Sequence, residues 1–524
     1  MLTSILLSSI LALPALAASP DDWRTRSIYQ LVTDRFATPD GSSPTCNTED
    51  RRYCGGNYKG IINKLDYIQN MGFDAIWISP VVANVEGNTS LGEAFHGYWT
   101  QDINKLNDHF GSTDDLKSLS DALHKRNMYL MVDVVVNHMA ATSNPPNFGS
   151  FAPFNQQSNF HPECFIQASD YDNNQTAVEQ CWLGDENLPL ADMNTEDQNV
   201  ISTWNTWIGD LVKNYTIDGV RIDTVKHVRK DFWPDFAKAA GVYTVGEVLH
   251  NDTNYVAPYT QALSAALDYP AYFFLTAGFQ TSNGNLSNFA SVIQAGQGAY
   301  NNGEHYMGSF LENHDNPRFQ SLTQDQALVK NAMTWPFIQD GIPILYYGQE
   351  QGYAGGNDPA NREALWLSGY GEDKPLVQHV KTLNAARKAA AAAKSDFHTS
   401  SLQFLVSTQN NLAISKPPML TLLTNEGSTS TPQWSVPNAG FSANEEVVDV
   451  LTCTKINADA NGGVTVKGSG GNPQVLMPTS ALPKGGTVCP DLATGAQSSS
   501  ARSLAVQVLG TSLAAVLTLA IAFS

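Results

Sequence analysis

Short runs rich in Val, Ile and Leu alternate with amphipathic stretches up to about residue 395, and this alternation most constrains the fold. The apolar runs lack the strict polar–apolar alternation of a half-exposed sheet, which indicates parallel strands buried on both faces. Repeated strand–helix units predict an α/β fold, and a (β/α)8 TIM barrel fits best. The predicted strands are 27–31, 73–80, 129–137, 219–225, 242–249, 307–313 and 342–347. The predicted helices are 61–71, 113–127, 200–215, 232–240, 324–339 and 377–393.

Two parts of the chain depart from a plain barrel. About eighty residues separate the strand that ends at Asn137 from the strand that begins at Gly219, which is more than one helix needs and predicts an inserted domain B. After about Ser395, short Val/Leu/Thr runs with Gly and Pro predict a C-terminal antiparallel β-sandwich. The predicted organisation is a signal peptide at 1–18, a barrel at 19–137 and 193–395, an inserted domain at 138–192, a β-sandwich at 396–490, and a linker with an attachment signal at 491–524.

The charge of the chain argues against one class of partner. The 524 residues carry a formal net charge of −20. Nucleic-acid binding depends on clustered Lys and Arg, so this balance indicates a soluble protein with a neutral or cationic partner. We expect a monomer that binds no nucleic acid.

The two ends of the chain resemble targeting segments. Residues 1–18 are apolar and end in small residues, as in a secretory signal, although the segment has no Lys or Arg. Residues 504–523 are apolar and long enough to cross a bilayer, and no charged residue follows them. A small-residue window at 495–500 precedes this tail, which favours GPI attachment over a retained transmembrane helix. The predicted location is the cell surface or wall, with a GPI anchor in the plasma membrane.

Cysteines and sequons fit a secretory route. The six cysteines allow fifteen pairings, and closeness along the chain favours Cys46 with Cys54, Cys164 with Cys181, and Cys453 with Cys489. An even number of cysteines is typical of disulfide-bonded secreted proteins. Candidate N-glycosylation sites are Asn88, Asn174, Asn214, Asn251 and Asn285.

Three acids follow successive predicted strands, where a barrel places its active site: Asp223, Glu247 and Asp315. Arg221 and Asp223 share one face of a strand, and a neighbouring Arg lowers the pKa of a carboxyl group. We therefore expect Asp223 to be the anion and Glu247, which follows an apolar strand, to be the proton donor. Such a pair suits retaining glycoside hydrolysis, with Asp315 holding sugar hydroxyls and stabilising positive charge. Taken singly, each acid is more often a structural cap or an ion-pair member, but three acids at successive strand ends disfavour that interpretation.

Four motifs in order resemble the α-amylase family of retaining glycoside hydrolases, most closely its secreted fungal members. They are DVVVNH at 133–138, GVRIDTVKH at 219–227, GEVL at 246–249 and ENHDNPR at 312–318. The resemblance runs from about Asp21 to Pro490. It implies an α-1,4-linked glucan as substrate, with Asp223 as nucleophile, Glu247 as general acid/base and Asp315 as transition-state stabiliser.

The same resemblance implies sugar-binding side chains and a calcium ion. The segment FHGYW at 95–99 is similar to the family segment that holds the sugar at the cleavage site. Lys226 is implied on the acceptor side, and Asp358 with Arg362 on the donor side. The implied sugar-binding residues are His96, Tyr98, Trp99, His138, Arg221, Lys226, His314, Asp358 and Arg362. The implied Ca²⁺ ligands are Asn137, Glu179, Asp192 and His227, with Glu179 and His227 acting through their carbonyls.

Two positions on the acceptor side depart from the family pattern. His250 follows Leu249 where secreted fungal members typically carry an Asp, and the segment 188–192 also differs. The acceptor side decides whether water or a sugar meets the glycosyl-enzyme intermediate. We therefore expect an endo-acting α-1,4-glucan hydrolase, with a cell-wall 4-α-glucanotransferase as the alternative. A non-catalytic glucan-binding protein is a third reading, which the presence of all three acids disfavours.

Overall fold

Eight parallel strands form a barrel at the centre of the computed structural model, which describes residues 18–492. In chain order these strands are β1 (Ile28–Gln30), β2 (Ala75–Ile78), β3 (Tyr129–Val134), β4 (Gly219–Ile222), β5 (Tyr243–Gly246), β6 (Ala265–Ala266), β7 (Gly308–Ser309) and β8 (Ile342–Tyr346). Their order in the sheet is β6-β5-β4-β3-β2-β1-β8-β7, and a parallel bridge between Leu267 and Gly308 closes the ring. Every residue of these strands except Tyr129 is buried, which confirms the barrel expected from the doubly buried strand pattern.

Helices surround the barrel strands and follow the predicted order with a few differences. The region predicted as one helix at 61–71 is two short helices that meet at Lys64. The helices Tyr269–Phe279 and Leu286–Ala299 were not predicted. The α-helices are Pro20–Trp23, Thr33–Phe36, Tyr58–Asn63, Leu65–Asn70, Thr113–His124, Asp170–Asn173, Gln175–Gln180, Gln198–Tyr215, Trp233–Ala240, Thr253–Val256, Tyr259–Ala262, Tyr269–Phe279, Leu286–Ala299, Phe319–Leu322, Gln326–Ile338 and Pro375–Ala393.

The predicted strands are longer than the strands found. The segment predicted at 307–313 contributes only Gly308–Ser309, because the chain then leaves the sheet to carry polar side chains into the barrel mouth. Strand β6 has two residues and was not predicted at all. Its neighbours β5 and β7 hold it in place through backbone pairing, which short sequence patterns do not report.

Small sheets lie over the carboxyl end of the barrel. Val82–Asn84 pairs with Thr100–Leu106 in the connection that follows β2. In the long segment after β3, His138–Ala140, Leu188–Asp192 and Leu183–Asp185 form an antiparallel sheet in that order. The pairing of His138 with Asp192 brings the two ends of this segment together beside the barrel.

An antiparallel domain follows the last helix of the barrel. Its six-stranded sheet has the order Gln403–Ser407, Asn411–Lys416, Met419–Thr424, Gln474–Pro478, Glu446–Asp449 and Thr454–Asn457. One face packs on the ribbon formed by Gln433–Val436 and Val464–Lys467, around Trp434 and Leu422. This arrangement confirms the C-terminal antiparallel domain expected from its short strands.

Three disulfides link Cys46 to Cys54, Cys164 to Cys181, and Cys453 to Cys489. Within residues 18–492, no helix has the length and apolar character needed to span a membrane. Residues 1–17 of the signal peptide predicted at 1–18, and residues 493–524 of the linker and attachment signal predicted at 491–524, lie outside the described residues.

Candidate active site

The guanidinium of Arg221 joins three carboxylates at the carboxyl end of the barrel. Its Nη1 lies 2.9 Å from Asp223 Oδ1 and 3.0 Å from both carboxyl oxygens of Asp133, and its Nη2 lies 2.9 Å from Glu247 Oε2. Arg221 is on β4, Asp133 is on β3, and Asp223 and Glu247 come directly after β4 and β5. Adjacent parallel strands therefore place all four side chains together, and the positive charge allows the carboxylates to be this close.

Thr224 fixes the relative positions of Asp223 and Glu247. Its hydroxyl donates to Asp223 Oδ2 at 3.0 Å, and its backbone N–H donates to Glu247 Oε2 at 2.9 Å. Thr224 adopts a left-handed conformation with φ 49°, which turns the chain at the end of β4. Arg221 and Thr224 thus each contact both acids. This arrangement is compatible with the separation of about 5 Å between the two carboxyl groups of retaining glycosidases.

The net pKa shift of Asp223 differs from the expectation. Burial raises its pKa well above the usual range, the Arg221 charge opposes this shift, and the Glu247, Asp133 and Asp315 carboxylates add to it. The Arg221 charge does lower the pKa of Asp223, as expected. The expected direction of the net shift was wrong, because burial and the neighbouring carboxylates outweigh the arginine. Sequence spacing identified the arginine and missed both the desolvation and the neighbouring negative charges.

Asp315 lies at the same mouth on a polar turn that follows β7. Its backbone N–H donates to Asn313 Oδ1 at 3.0 Å, and its carboxylate lies 3.3 Å from His314 Nε2 and 3.5 Å from Arg362 Nη2. The side chain is 33% exposed, against 10% for both Asp223 and Glu247. Asp315 is therefore the acid of the three that most faces the open cleft.

Aromatic rings and neutral histidines line the mouth. The Tyr98 ring stacks on His314 with centroids 5.1 Å apart, and its hydroxyl donates to Asp133 Oδ2 at 2.8 Å. The His96 ring stacks on Tyr98 with centroids 5.8 Å apart and meets Trp99 edge to face with centroids 4.6 Å apart. Burial lowers the pKa of His138 to about 4 and holds the pKa values of His96 and His314 well below the usual range. The imidazoles are consequently neutral near pH 7 and can both donate to and accept from hydroxyl groups.

The remaining predicted sugar-binding residues lie on two sides of these acids. On the side of Glu247, Lys226 Nζ donates to Leu249 O at 2.9 Å and lies 4.5 Å from the Tyr171 ring. On the side of Asp315, Arg362 forms an ion pair of 3.1 Å with Asp358. The structure thus brings every predicted sugar-binding side chain to the barrel mouth, in two groups.

Oxygen atoms converge where the calcium ligands were predicted. One terminal atom of the Asn137 carboxamide lies 2.9 Å from His227 O and 3.0 Å from Asp192 Oδ1. His161 Nδ1 is 2.6 Å from the other oxygen of Asp192. The Glu179 side chain instead accepts from Gln175 at 2.8 Å. Among the described residues, no group of three or more His, Cys, Asp and Glu side chains is arranged to hold a metal, so a cation here would need carbonyl and carboxamide oxygens in addition to the Asp192 carboxylate.

Several residues of the site were missed by the sequence reasoning. Asp133 was recognised only as the first letter of a motif, although it contacts Arg221 and accepts from Trp77 Nε1 at 3.0 Å. Gln30 on β1 is 2.9 Å from His314 Nδ1. The hydroxyl of Tyr269 accepts from Asn313 at 2.8 Å. A polar residue near the end of the predicted strand 27–31 was the available signal for Gln30, whereas Asp133 lies inside the predicted strand 129–137 and had no such signal.

Comparison with known proteins identifies the family and supports the fold. The family model for the α-amylase catalytic domain matches residues 30–462. The chain belongs to the α-amylase family. It is 45% identical to an α-amylase of Saccharomycopsis fibuligera over 461 residues, covering 87% of this chain and 92% of that protein. It is also 45% identical to α-amylase 1 of Schwanniomyces occidentalis over 480 residues, covering 90% and 93%.

A solved structure agrees with this assignment. The structure of an α-amylase from Malbranchea cinnamomea superposes with a TM-score of 0.88 at 45% identity, covering 90% of this chain and all of that one. As a member of the α-amylase family, the protein is a retaining glycoside hydrolase. The resemblance drawn from the four motifs is thereby confirmed at the level of the family.

Proposed function

We propose that this α-amylase-family hydrolase is an endo-acting α-amylase that cleaves α-1,4-linked glucans of the starch and glycogen type with retention of configuration. The observation that carries the proposal is the contact of one guanidinium, that of Arg221, with both Asp223 and Glu247. Two carboxyl groups fixed side by side are what a double displacement at an anomeric carbon requires.

Each acid has one task in this reaction. A carboxylate oxygen of Asp223 bonds to the anomeric carbon while the glycosidic C–O bond breaks and Glu247 gives its proton to the leaving oxygen. Glu247 then takes a proton from water, whose oxygen attacks the anomeric carbon and releases Asp223. The two inversions leave the configuration unchanged. Asp315, the most exposed of the three acids, is placed to hold sugar hydroxyls and to stabilise positive charge at the ring.

Neutral side chains support sugar binding around these acids. Tyr98 supplies a ring for stacking, and the uncharged imidazoles of His96, His138 and His314 can hydrogen-bond sugar hydroxyls without a fixed counter-charge. The donor side has the planar guanidinium of Arg362 beside Asp358. Charged, planar and aromatic groups therefore surround the acids, a composition suited to an uncharged and hydroxyl-rich polymer.

Replacing Glu247 by Gln tests the mechanism. The variant keeps the size of the side chain and removes its proton, so hydrolysis of maltoheptaose should fall by at least about 10²-fold. Glu163→Gln, an exposed substitution outside the barrel mouth, is the matched control and should leave the rate unchanged. Full activity of Glu247→Gln would contradict the assignment of the general acid.

A transglycosylation reaction is the second candidate, and the acceptor side supports it. Tyr171 and Leu249 are 40% and 37% exposed beside Lys226, and the His250 ring stacks on Tyr255 with centroids 4.1 Å apart. Such a surface can bind a sugar in place of water. Early products from maltoheptaose decide between the reactions, since chains longer than seven glucosyl units as the main products would establish a 4-α-glucanotransferase.

Calcium is proposed as the structural ion. Asn137 and Asp192 would hold the ion with side-chain oxygens, and His227 would hold it with its carbonyl oxygen. When the carboxamide oxygen of Asn137 is the atom that faces His227 O and Asp192 Oδ1, three oxygens meet with no hydrogen atom between them, as around a bound cation. The carbonyl of Glu179 is the fourth proposed ligand. Bound calcium supplies positive charge that ties β3 and the segment 138–192 to the turn after β4.

The proposed setting is the outer surface of the cell. The composition of residues 1–18 supports a secretory signal, and the small-residue window with the apolar tail after it supports a GPI anchor. All five sequon asparagines are exposed, which is compatible with glycosylation. The full domain division given by the sequence, including domain B at 138–192, and the monomeric state belong to the same proposal. Release of the protein from cells by a phosphatidylinositol-specific phospholipase tests the anchor.

A further inference from the structure

The loop closed by the Cys46–Cys54 disulfide reaches the barrel mouth through one side chain. Arg51 Nη1 lies 2.9 Å from Asp358 Oδ2, and its Nη2 lies 3.5 Å from the backbone oxygen of the same residue. More than 300 residues separate Arg51 and Asp358 along the chain, and neither the motifs nor the resemblance pointed to Arg51.

This contact continues to a catalytic acid. Asp358 Oδ1 lies 3.1 Å from Arg362 Nη1, Arg362 Nη2 lies 3.5 Å from Asp315 Oδ1, and Arg362 Nε donates to His314 O at 3.0 Å. Asp358 is therefore bracketed by two arginines, one from the disulfide loop and one from the wall of the cleft. Replacing either arginine would leave the Asp358 carboxylate with a single cationic neighbour.

The backbone around Arg51 is held in a defined position. Arg51 adopts φ 48°, and Glu93 N donates to Arg51 O at 2.7 Å. Gly92 packs so closely that a Cβ on it would lie 2.4 Å from Arg51 Cβ. The N–H groups of Cys54 and Gly55 donate to the buried carboxylate of Asp34 at 2.8 to 3.0 Å. These contacts pre-organise the loop, so the Arg51 guanidinium does not have to be ordered by substrate.

The chemistry of the site assigns this contact to the donor side. The general acid protonates the leaving oxygen, so Glu247 and its neighbour Lys226 face the leaving-group side of the cleaved bond. Asp358 is instead connected to Asp315 through Arg362, away from Lys226. The side chains of Arg51 and Asp358 are 38% and 33% exposed, so their ion pair adds little to fold stability and remains accessible from solvent.

We propose that Arg51 is a positioning residue that holds Asp358 for binding the donor part of the glucan, at glucosyl units remote from the cleaved bond. The proposal rests on the proposed function. Remote binding energy acts on long substrates and not on those too short to reach the site. Arg51 thereby makes the enzyme prefer longer donor chains.

The test compares two chromogenic substrates on the full-length protein, p-nitrophenyl α-maltoheptaoside and p-nitrophenyl α-maltotrioside. Arg51→Met keeps an unbranched, flexible stem and removes the guanidinium with its charge. It should raise KM for the heptaoside about five- to twentyfold, leave kcat within twofold, and leave both constants for the trioside unchanged. Arg51→Lys, which keeps one cationic donor, should recover most of the lost affinity.

Arg52→Met is the matched control, because the Arg52 side chain forms no ion pair or hydrogen bond to any residue between 18 and 492. If Arg51→Met behaves like Arg52→Met on both substrates, or if it loses activity equally on the two, the proposal is wrong. A melting temperature lowered by more than a few degrees in Arg51→Met would assign the residue a structural role and also overturn it. Failure of the unaltered protein to cleave either substrate would refute the proposed function instead.

Discussion

Lys416 joins the C-terminal sheet to the barrel through a buried ion pair, and removal of its charge should destabilise the protein strongly. Its Nζ lies 2.6 Å from Asp340 Oδ1 and donates to Ser400 O at 2.7 Å, with side-chain exposures of 1% for Lys416 and 0% for Asp340. In Lys416→Met the carboxylate keeps only the Leu402 N–H and Gln297 Nε2 as donors. Loss of one partner from a buried pair costs about 3–5 kcal/mol, because the other charge stays buried without compensation.

The size of the effect can be measured by thermal unfolding at a fixed scan rate and by the half-life at a fixed temperature. A cost of about 3–5 kcal/mol corresponds to a fall in Tm of about 3–5 °C in a chain of this size, because the entropy of unfolding grows with chain length. Asp340→Asn combined with Lys416→Met should recover at least about half of the loss, since the buried charge is then removed. These measurements report the coupling between the barrel and the C-terminal sheet.

An exposed pair on the same sheet gives the control. Lys455 Nζ lies 3.0 Å from Glu446 Oε1, with side-chain exposures of 47% and 45%. Exposed pairs contribute about 0–1 kcal/mol, so Lys455→Met should change the Tm by no more than about 1 °C. If Lys416→Met is as stable as Lys455→Met, burial does not govern the contribution of this ion pair and the reasoning is refuted.

Three further predictions concern the site and the core. Asp133→Asn removes a negative charge that raises the pKa of Asp223, so the acidic limb of the kcat/KM profile should move to lower pH, and an unmoved limb contradicts this. Burial and the neighbouring Asp268 raise the pKa of Glu304 well above its usual range. The folded state therefore keeps a proton that the unfolded chain releases above about pH 4.5, and the free energy of unfolding falls as pH rises. Glu304→Gln should therefore gain Tm over the unaltered protein from pH 4.5 to pH 8, and a pH-independent difference refutes the account. A calcium chelator should lower the Tm, and added Ca²⁺ but not Mg²⁺ should restore it. The Tm of Asn137→Ala should no longer change on chelation, and an unchanged Tm of the unaltered protein counts against the calcium ion.

Most of the barrel was predictable because its strands are buried on both faces. Strands β2, β3, β4, β5 and β8 are mostly apolar and lie in predicted runs rich in Val, Ile and Leu, which leave a clear signal in the sequence. Strand β6 leaves none, because two alanines joined to their neighbours by backbone pairing have no pattern of their own. The helix Tyr269–Phe279 was missed because apolar residues occupy every face, so it lacks the stripe that marks an amphipathic helix.

The candidate site was predictable in its residue types and not in its electrostatics. The motifs identified Asp223, Glu247 and Asp315, and the structure places them at one barrel mouth. The roles given to them remain predictions until they are tested. Asp133 escaped notice because a carboxylate inside an apolar strand has no local mark of function, and its role follows from the distance to Arg221.

The sequence by itself determined the architecture, the family and the identity of the acids, since periodicity and ordered motifs are properties of neighbouring residues. Only the tertiary structure decided the direction of the net pKa shift of Asp223. It also decided the ion pairs between Lys416 and Asp340 and between Arg51 and Asp358. The physical reason is that burial and Coulomb interactions depend on distance through space. Residues far apart along the chain acquire these interactions only when the barrel closes and its loops meet.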